Sequence, residues 1–331
     1  MICLGIESTA HTFGIGIVKD KKVLANEKHT YITEKGGIIP AEAAKHHREV
    51  KQGLIDAALQ KAGITLEDID MIAVSSAPGL SPCLLEGMRT AKEWAAKLNV
   101  PLVGVNHCIA HLEIGRMMTK AKDPVLLYCS GANTQIIAYA GGRYRIFGET
   151  LDVGIGNFID TFARSAGLGF PGGPKVEQFA LNGKENGKKL IELPYSIKGM
   201  DVSFSGMLTN LQQRHAKGES MEDLSFSLQE TAFAMLIEAA ERAMAHLHKK
   251  ELLLGGGVAC NKRLQEMGRI MCKERGAEFY CSENQFLIDN GAMIGWLGIL
   301  MKEGAVGPSE LSKLDIKPYE RTDDVEVFWR W

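Results

Sequence analysis

Apolar residues alternate with small polar turns at two places in the chain. Residues 2–18, ICLGIESTAHTFGIGIV, form an apolar run, a turn rich in Ser and Thr, and a second apolar run. Residues 125–139 repeat the arrangement around Ser130-Gly131-Ala132-Asn133-Thr134. Each reads as a strand pair around a polar turn. After the first pair a turn-rich connection ends in Gly36-Gly37-Ile38-Ile39-Pro40. Ala43, Ala44, Val50, Leu54, Ala58 and Leu59 then recur at helical spacing over 41–62, and Gly63 closes that helix. Met71 to Ser75 is a short strand before the turn Ala77-Pro78-Gly79. Residues 84–98 read as a helix and 102–105 as a strand, and a further helix begins near His107 and runs to about Thr119.

The second strand pair is extended by Tyr144 to Phe147 beyond the Gly141-Gly142 turn. Helical patterns follow at 156–166, 222–247, 261–274 and 290–302, with a buried strand at 252–254. Gly169 to Pro174 is a Pro/Gly loop and Cys281 to Asp289 another loop. Strand pairs followed by strand–helix alternation occur twice, which predicts an α/β protein of two related lobes. A chain of 331 residues is also long for a single core. Lobe boundaries are expected at 1–124 and 125–300, with 301–331 packing back on the first lobe.

Composition narrows the class. Apolar residues are 45% and charged residues 24% of the chain, a balance that argues against disorder. The formal net charge of −2 means that nucleic acid would be met through a local patch or a partner. Seven cysteines without a C-x-x-C pair fit reduced thiols in a cytoplasmic protein and argue against a cysteine-based zinc site. The first residues are strand-like and carry Glu7, unlike a signal peptide. No apolar run reaches the roughly 18 residues of a membrane span.

Candidate chemistry centres on His107 and His111. Residues four apart on a helix share a face, so both imidazoles can reach one ion. Two hydrogen-bonded helix histidines would look the same. Cys108 stands where a zinc peptidase H-E-x-x-H motif needs Glu, which disfavours that chemistry. A metal would need further ligands, and oxygen donors later in the chain, such as Tyr128 and Asp289, are the natural candidates. The turn at 130–134, and the similar Glu7-Ser8-Thr9-Ala10-His11-Thr12, offer N–H groups and hydroxyls to an anion. A nucleotide gripped between lobes needs two such turns, although either one also reads as an ordinary hairpin. Gly255-Gly256-Gly257 follows a strand and leads to Asn261, which reads either as a ligand contact or as a helix cap. The Rossmann fingerprint and the Walker A motif are both absent. Asp160 and Glu177 flank the Pro/Gly loop and by default are surface carboxylates. Lys188-Lys189, Arg214-His215 and Lys262-Arg263 read as solvated basic clusters, and His46-His47 as a helix surface.

Taken together these residues carry a resemblance. Arg89-Thr90-Ala91-Lys92 through Asn106-His107-Cys108-Ile109-Ala110-His111 resembles the signature of the family once labelled O-sialoglycoprotein endopeptidase. That family is now understood as the catalytic subunit of tRNA N6-threonylcarbamoyladenosine synthesis. Gly5 to Thr12, Ser130 to Gln135, Phe204-Ser205-Gly206, Gly256 to Ala259 with Asn261, and Asp289 to Met293 extend the match from end to end. The chain is most similar to the archaeal and eukaryotic branch, the Kae1 proteins of the KEOPS complex. The resemblance implies the actin-like (ASKHA) fold, with duplicated ribonuclease H-like cores and a nucleotide cleft between lobes. It implies iron or zinc held by His107, His111, Tyr128 and Asp289. It also implies contacts to an ATP- or AMP-type group from Tyr128, Cys129, Ser130, Gly131, Ala132, Asp160, Gly173, Glu177 and Asn261. The implied reaction moves threonylcarbamoyl from threonylcarbamoyl-AMP to N6 of the adenosine beside the tRNA anticodon. Implied partners are the tRNA, a small kinase/ATPase subunit (Bud32), and Cgi121 and Pcc1. Two positions depart from the family pattern. Ala132 stands where the family usually has a second Gly, and His11-Thr12 where bacterial relatives carry an acidic pair. The alternatives are an ASKHA-fold kinase of a small molecule and a noncatalytic nucleotide- or DNA-binding scaffold.

Overall fold

The computed structural model describes residues 1–33, 37–185 and 190–330, so Gly36 and the Lys188-Lys189 cluster lie outside the described residues. The first lobe runs β1 (Ile2–Glu7), β2 (Thr12–Lys19), β3 (Lys22–Thr30), α1 (Pro40–Ala62), β4 (Met71–Ala77), α2 (Ser81–Leu98), β5 (Leu102–Asn106) and α3 (His107–Met118). The chain then repeats the plan with β6 (Val125–Cys129), β7 (Thr134–Ala140), β8 (Arg143–Glu149), α4 (Ile155–Ser165), α5 (Gly173–Glu185), β9 (Ile197–Lys198) and β10 (Asp201–Val202). It continues through α6 (Ser205–Ala216), α7 (Met221–His246), β11 (Glu251–Gly255), α8 (Lys262–Glu274), β12 (Glu278–Cys281), α9 (Asn284–Leu287) and α10 (Gly291–Leu300).

The duplication expected from the two strand pairs is visible in the sheets. One has the order β3-β2-β1-β4-β5, the other β8-β7-β6-β11-β12. In each, the first three strands are antiparallel and the last two join parallel to the first strand of the lobe. Strands β1, β4 and β6 are buried almost throughout, which is why they read as continuous apolar runs.

The sequence reading missed elements whose pattern is weak. The connection assigned after the first hairpin is largely β3, an edge strand that is mostly half-buried and so lacks clean alternation. The short β9–β10 ladder, α5, α6 and β12 also went unread. Within the loop assigned to 281–289, Cys281 closes β12 and residues 284–287 form one helical turn. His47, assigned to a helix surface, is fully buried, its Nε2 3.0 Å from the Ala10 carbonyl and its ring 5.3 Å from that of Phe13.

Two packing arrangements position the site. Asn106 ends β5 and caps α3, its Oδ1 accepting from Cys108 N at 3.0 Å and Ile109 N at 3.3 Å. The cap fixes where the helix begins, so His107 lies on its first turn and His111 on the next. Helix α10 lies against β1, β2 and β4 of the first sheet at backbone contact distance. A Cβ at Gly16 would fall 2.1 Å from Ala292 N, and one at Gly5 would fall 2.2 Å from Gly291 O. Only glycine permits that approach, and it brings Asp289, two residues before the helix, to the end of the first sheet. Beyond α10 the chain bridges to Leu102, meets Ser76 through Lys317 N, and then reaches Glu149 through Arg321 and Glu113 through Trp329. No helix among the described residues is long and apolar enough to cross a membrane.

Candidate metal centre and nucleotide cleft

His107 and His111 are buried side by side, their ring centroids 4.7 Å apart. Asp289 Oδ1 lies 3.4 Å from Nε2 of each. The ligand atoms of the three residues all fall within 4.8 Å of one another. Tyr128, at the end of β6, places its hydroxyl 3.1 Å from His107 Nε2 and its ring 5.0 Å from that of His111. Residues separated by up to 182 positions thus meet at one point, as the Tyr128 and Asp289 assignments require.

Glu7 completes the arrangement from the first hairpin. Its Oε2 lies 2.9 Å from His107 Nδ1, and its Oε1 accepts from Thr9 N at 2.8 Å and from the Thr9 hydroxyl at 2.5 Å. Glu7 is wholly buried. A carboxylate on Nδ1 holds an imidazole with Nε2 free to face an ion, the outer arrangement typical of metal-bound histidine. The donor set therefore fits a divalent cation such as iron or zinc: two imidazoles, a carboxylate and a phenol on one point, with one imidazole oriented from behind.

The charges follow from this geometry. Burial alone would lower the pKa of His107, but the charge and hydrogen bond of Glu7, assisted by Asp289, push it up to about 9. His111, equally buried, moves down, because its hydrogen bond to Asp289 does not offset desolvation and the nearby charge of His107 opposes a second one. Burial would raise Asp289, but the hydrogen bond from His111 and the charge of His107 hold it well below the usual carboxylate range. Tyr128 is driven well up by burial and by Cys108 and Asp289. Without an ion the centre keeps one proton on His107; with one, that proton has to leave.

The second cluster surrounds the 130–133 turn and the segments near Asp160 and Asn261. The 130–133 turn closes on itself through Ser130 N to Asn133 O at 2.9 Å. The start of α4 packs beneath it, with Gly156 N and Asn157 N donating to the carbonyls of Ser130 and Gly131. A Cβ at Gly154 would meet Gly131 O at 2.4 Å, so that contact depends on glycine. Asp160 accepts from Gly172 N at 2.7 Å beside Gly173, and burial raises its pKa. Glu177 Oε1 accepts from Lys262 N at 2.9 Å, next to Asn261. Asn261 does cap α8, accepting from Arg263 N and Leu264 N, while its amide donates to Gln229 at 2.5 Å. Neither Asp160 nor Glu177 is a free surface carboxylate. Of Lys262-Arg263, Lys262 is exposed as expected, whereas Arg263 is half-buried and pairs with Glu230 and Glu266. His11 of the first hairpin meets Phe170 edge-on at 5.9 Å. The sequence reading placed Glu7 in an anion-binding turn and missed its contact with His107. The available signal was a carboxylate inside an otherwise apolar strand.

A family model described as TsaD, tRNA N6-adenosine threonylcarbamoyltransferase, matches residues 22–296. The tRNA N6-adenosine threonylcarbamoyltransferase of Thermococcus kodakarensis is 55% identical over 330 residues, covering 99% of this chain and 100% of that protein. The chain belongs to this family. The Archaeoglobus fulgidus member is 52% identical, again over 99% of this chain and 100% of its own length. A probable bifunctional tRNA threonylcarbamoyladenosine biosynthesis protein of Methanothermobacter thermautotrophicus is 51% identical over 99% of this chain, which spans 61% of that longer protein. Among solved structures, T. kodakarensis HypF superposes with a TM-score of 0.63 at 17% identity, covering 92% of this chain and 48% of that one. An activator of 2-hydroxyisocaproyl-CoA dehydratase from Clostridium difficile gives 0.55 at 10% identity, covering 95% and 96%. At such identities the likeness is one of fold, and the fold is the actin-like ATPase (ASKHA) fold with its duplicated lobes.

Proposed function

We propose that the chain transfers the threonylcarbamoyl group from threonylcarbamoyl-AMP to N6 of the adenosine adjacent to the anticodon, in tRNAs reading codons that begin with A. The observation that carries this reading is the convergence of His107, His111, Tyr128 and Asp289 on one point, in a chain of this family. In the reaction the N6 amine forms a bond to the carbamoyl carbon, the bond from that carbon to the phosphate oxygen breaks, AMP leaves, and the amine loses a proton. An exocyclic adenine amine is a poor nucleophile, so catalysis rests on orienting both partners and on stabilising the departing charge. A bound ion supplies a Lewis acid at that charge.

The protein's own groups do the remainder. His107, His111, Asp289 and Tyr128 would hold the ion, with Glu7 fixing the His107 ring. Cys129, Ser130, Gly131 and Ala132 would present the 130–133 turn to the AMP moiety. Asp160, Gly173, Glu177 and Asn261 would meet its nucleoside. The target base has to be splayed from its loop to enter the cleft. The near-neutral net charge supports sharing the tRNA grip with partners. In this reading those are Bud32, Cgi121 and Pcc1 of KEOPS, in the cytoplasm. The bifunctional names of the longer relatives support a second activity working beside this one.

Reconstitution with tRNA, the acyl-adenylate and the partner subunits, followed by mass spectrometry of tRNA nucleosides, tests the reading. Wild type should yield N6-threonylcarbamoyladenosine, and His107→Ala or His111→Ala should abolish it. Full activity of the metal-free double variant would overturn it.

A further inference from the structure

Lys28 stands apart from the described cluster and has no assigned role. It lies on β3 opposite Gly14 of β2. Along a strand every second side chain shares a face, so Lys28 points to the side of β3 that carries Asn26. Asn26 meets the start of α10, its Oδ1 accepting from Ala292 N at 3.3 Å and its amide donating to Gln285 O at 3.4 Å. Lys28, two residues on, is therefore aimed at the segment entering α10, where Asp289 lies. Gly14, opposite it, leaves room, since a Cβ there would sit 2.9 Å from Gly291 N.

The ammonium at the end of this side chain is buried and has no hydrogen-bond partner among the described residues. The groups that act on it electrostatically are the Asp289 carboxylate and the Cys260 thiol, and Asp289 makes no ion pair with it. Cys260 directly precedes Asn261 at the head of α8. Lys28 is thus under the influence of both Asp289 of the metal centre and Cys260, the residue before Asn261. A buried ammonium without a partner is unfavourable, and the group that relieves it is an anion arriving from outside. A purely structural lysine would pair with a carboxylate or reach water. An anion lying between a nucleoside and a metal centre is the phosphate of a nucleotide.

We infer that Lys28 is a substrate-binding residue whose ammonium receives the phosphate of the adenylate. The inference deepens the proposed function and rests on it for the identity of the ligand. A phosphate of the tRNA backbone has the same chemistry and is the competing source.

Equilibrium titration of the metal-loaded full chain with AMP, adenosine and tRNA separates the possibilities. Lys28→Met should weaken AMP about ten- to hundredfold, the range for one lost charge-assisted hydrogen bond, and leave adenosine and tRNA unchanged. Lys28→Arg should recover most of the AMP affinity. If Lys28→Met does not fold, Lys28→Gln carries the same expectation. A folded variant that keeps the wild-type ratio of AMP to adenosine affinity overturns the inference, as does one that loses tRNA but not AMP. Because these titrations do not depend on turnover, a chain that binds AMP through Lys28 yet leaves tRNA unmodified would refute the transfer reaction and retain this site.

Discussion

Replacing Glu7 by Gln tests how the metal centre is oriented while leaving its ligands in place. The wild-type carboxylate is divided between two tasks: Oε1 takes both Thr9 donors and Oε2 takes His107 Nδ1. Glutamine has nearly the same volume, so in this buried position no cavity forms. Its carbonyl oxygen can keep the Thr9 contacts, which places the NH2 group where Oε2 was, 2.9 Å from Nδ1. A donor there needs Nδ1 as acceptor, so the ring proton moves to Nε2, the atom that faces Asp289 and Tyr128. His107 then offers an N–H to the ion in place of a lone pair. Disturbing such an outer partner costs roughly 10–100-fold in metal affinity, about 1.4–2.7 kcal/mol. Competition with a chelator of known affinity, read by metal analysis of the recovered protein, measures the change without reference to activity. A Glu7→Gln protein that folds and binds metal as tightly as wild type would refute the assignment of Glu7 as the group that sets the His107 tautomer.

Two further outcomes follow from the same geometry. The His107 pKa rises from an ordinary 6.5 to about 9. In chelator-treated protein, protonated His107 therefore contributes stability fully below about pH 6.5, and that contribution is lost as pH rises through about 9. Thermal unfolding of wild type against His107→Asn should show the gap closing over that window, and a constant gap would count against the pairing with Glu7. The other outcome concerns Gly16, where a Cβ would fall 2.1 Å from Ala292 N. Gly16→Ala should cost about 3 kcal/mol in urea unfolding by forcing α10 off the first sheet. Because α10 carries Asp289 at its head, metal affinity should fall in the same variant, and an alanine variant with unchanged stability would contradict the packing.

The elements legible in the chain are those whose periodicity comes from burial on one face or both. Strands β1, β2, β6 and β7 and helices α1 and α7 read correctly because their apolar spacing is set by a core. β3 did not, since an edge strand with Glu27, Lys28 and His29 along it carries no such spacing. The β9–β10 pair is too short to show a period. Helix α5 lies in a stretch rich in Gly, Pro and Lys, where turn signals hide helical spacing, and α6 carries only Met207 and Leu211 as buried apolar residues.

The sequence alone determined that there are two similar lobes and that His107 and His111 share a helix face, because both are local facts of spacing. Through its motifs it also pointed to Tyr128 and Asp289, but spacing is silent on whether residues 107, 128 and 289 meet. Tertiary structure decided that, by laying α10 on glycines of the first sheet so that Asp289 arrives at the same point as α3. It also decided the setting of Glu7, which turns from a hairpin residue into the partner of His107, and of Lys28, whose ammonium is buried without a hydrogen-bond partner among the described residues. A carboxylate or an ammonium in a strand has no fixed function until the fold determines which charges surround it and how much water remains.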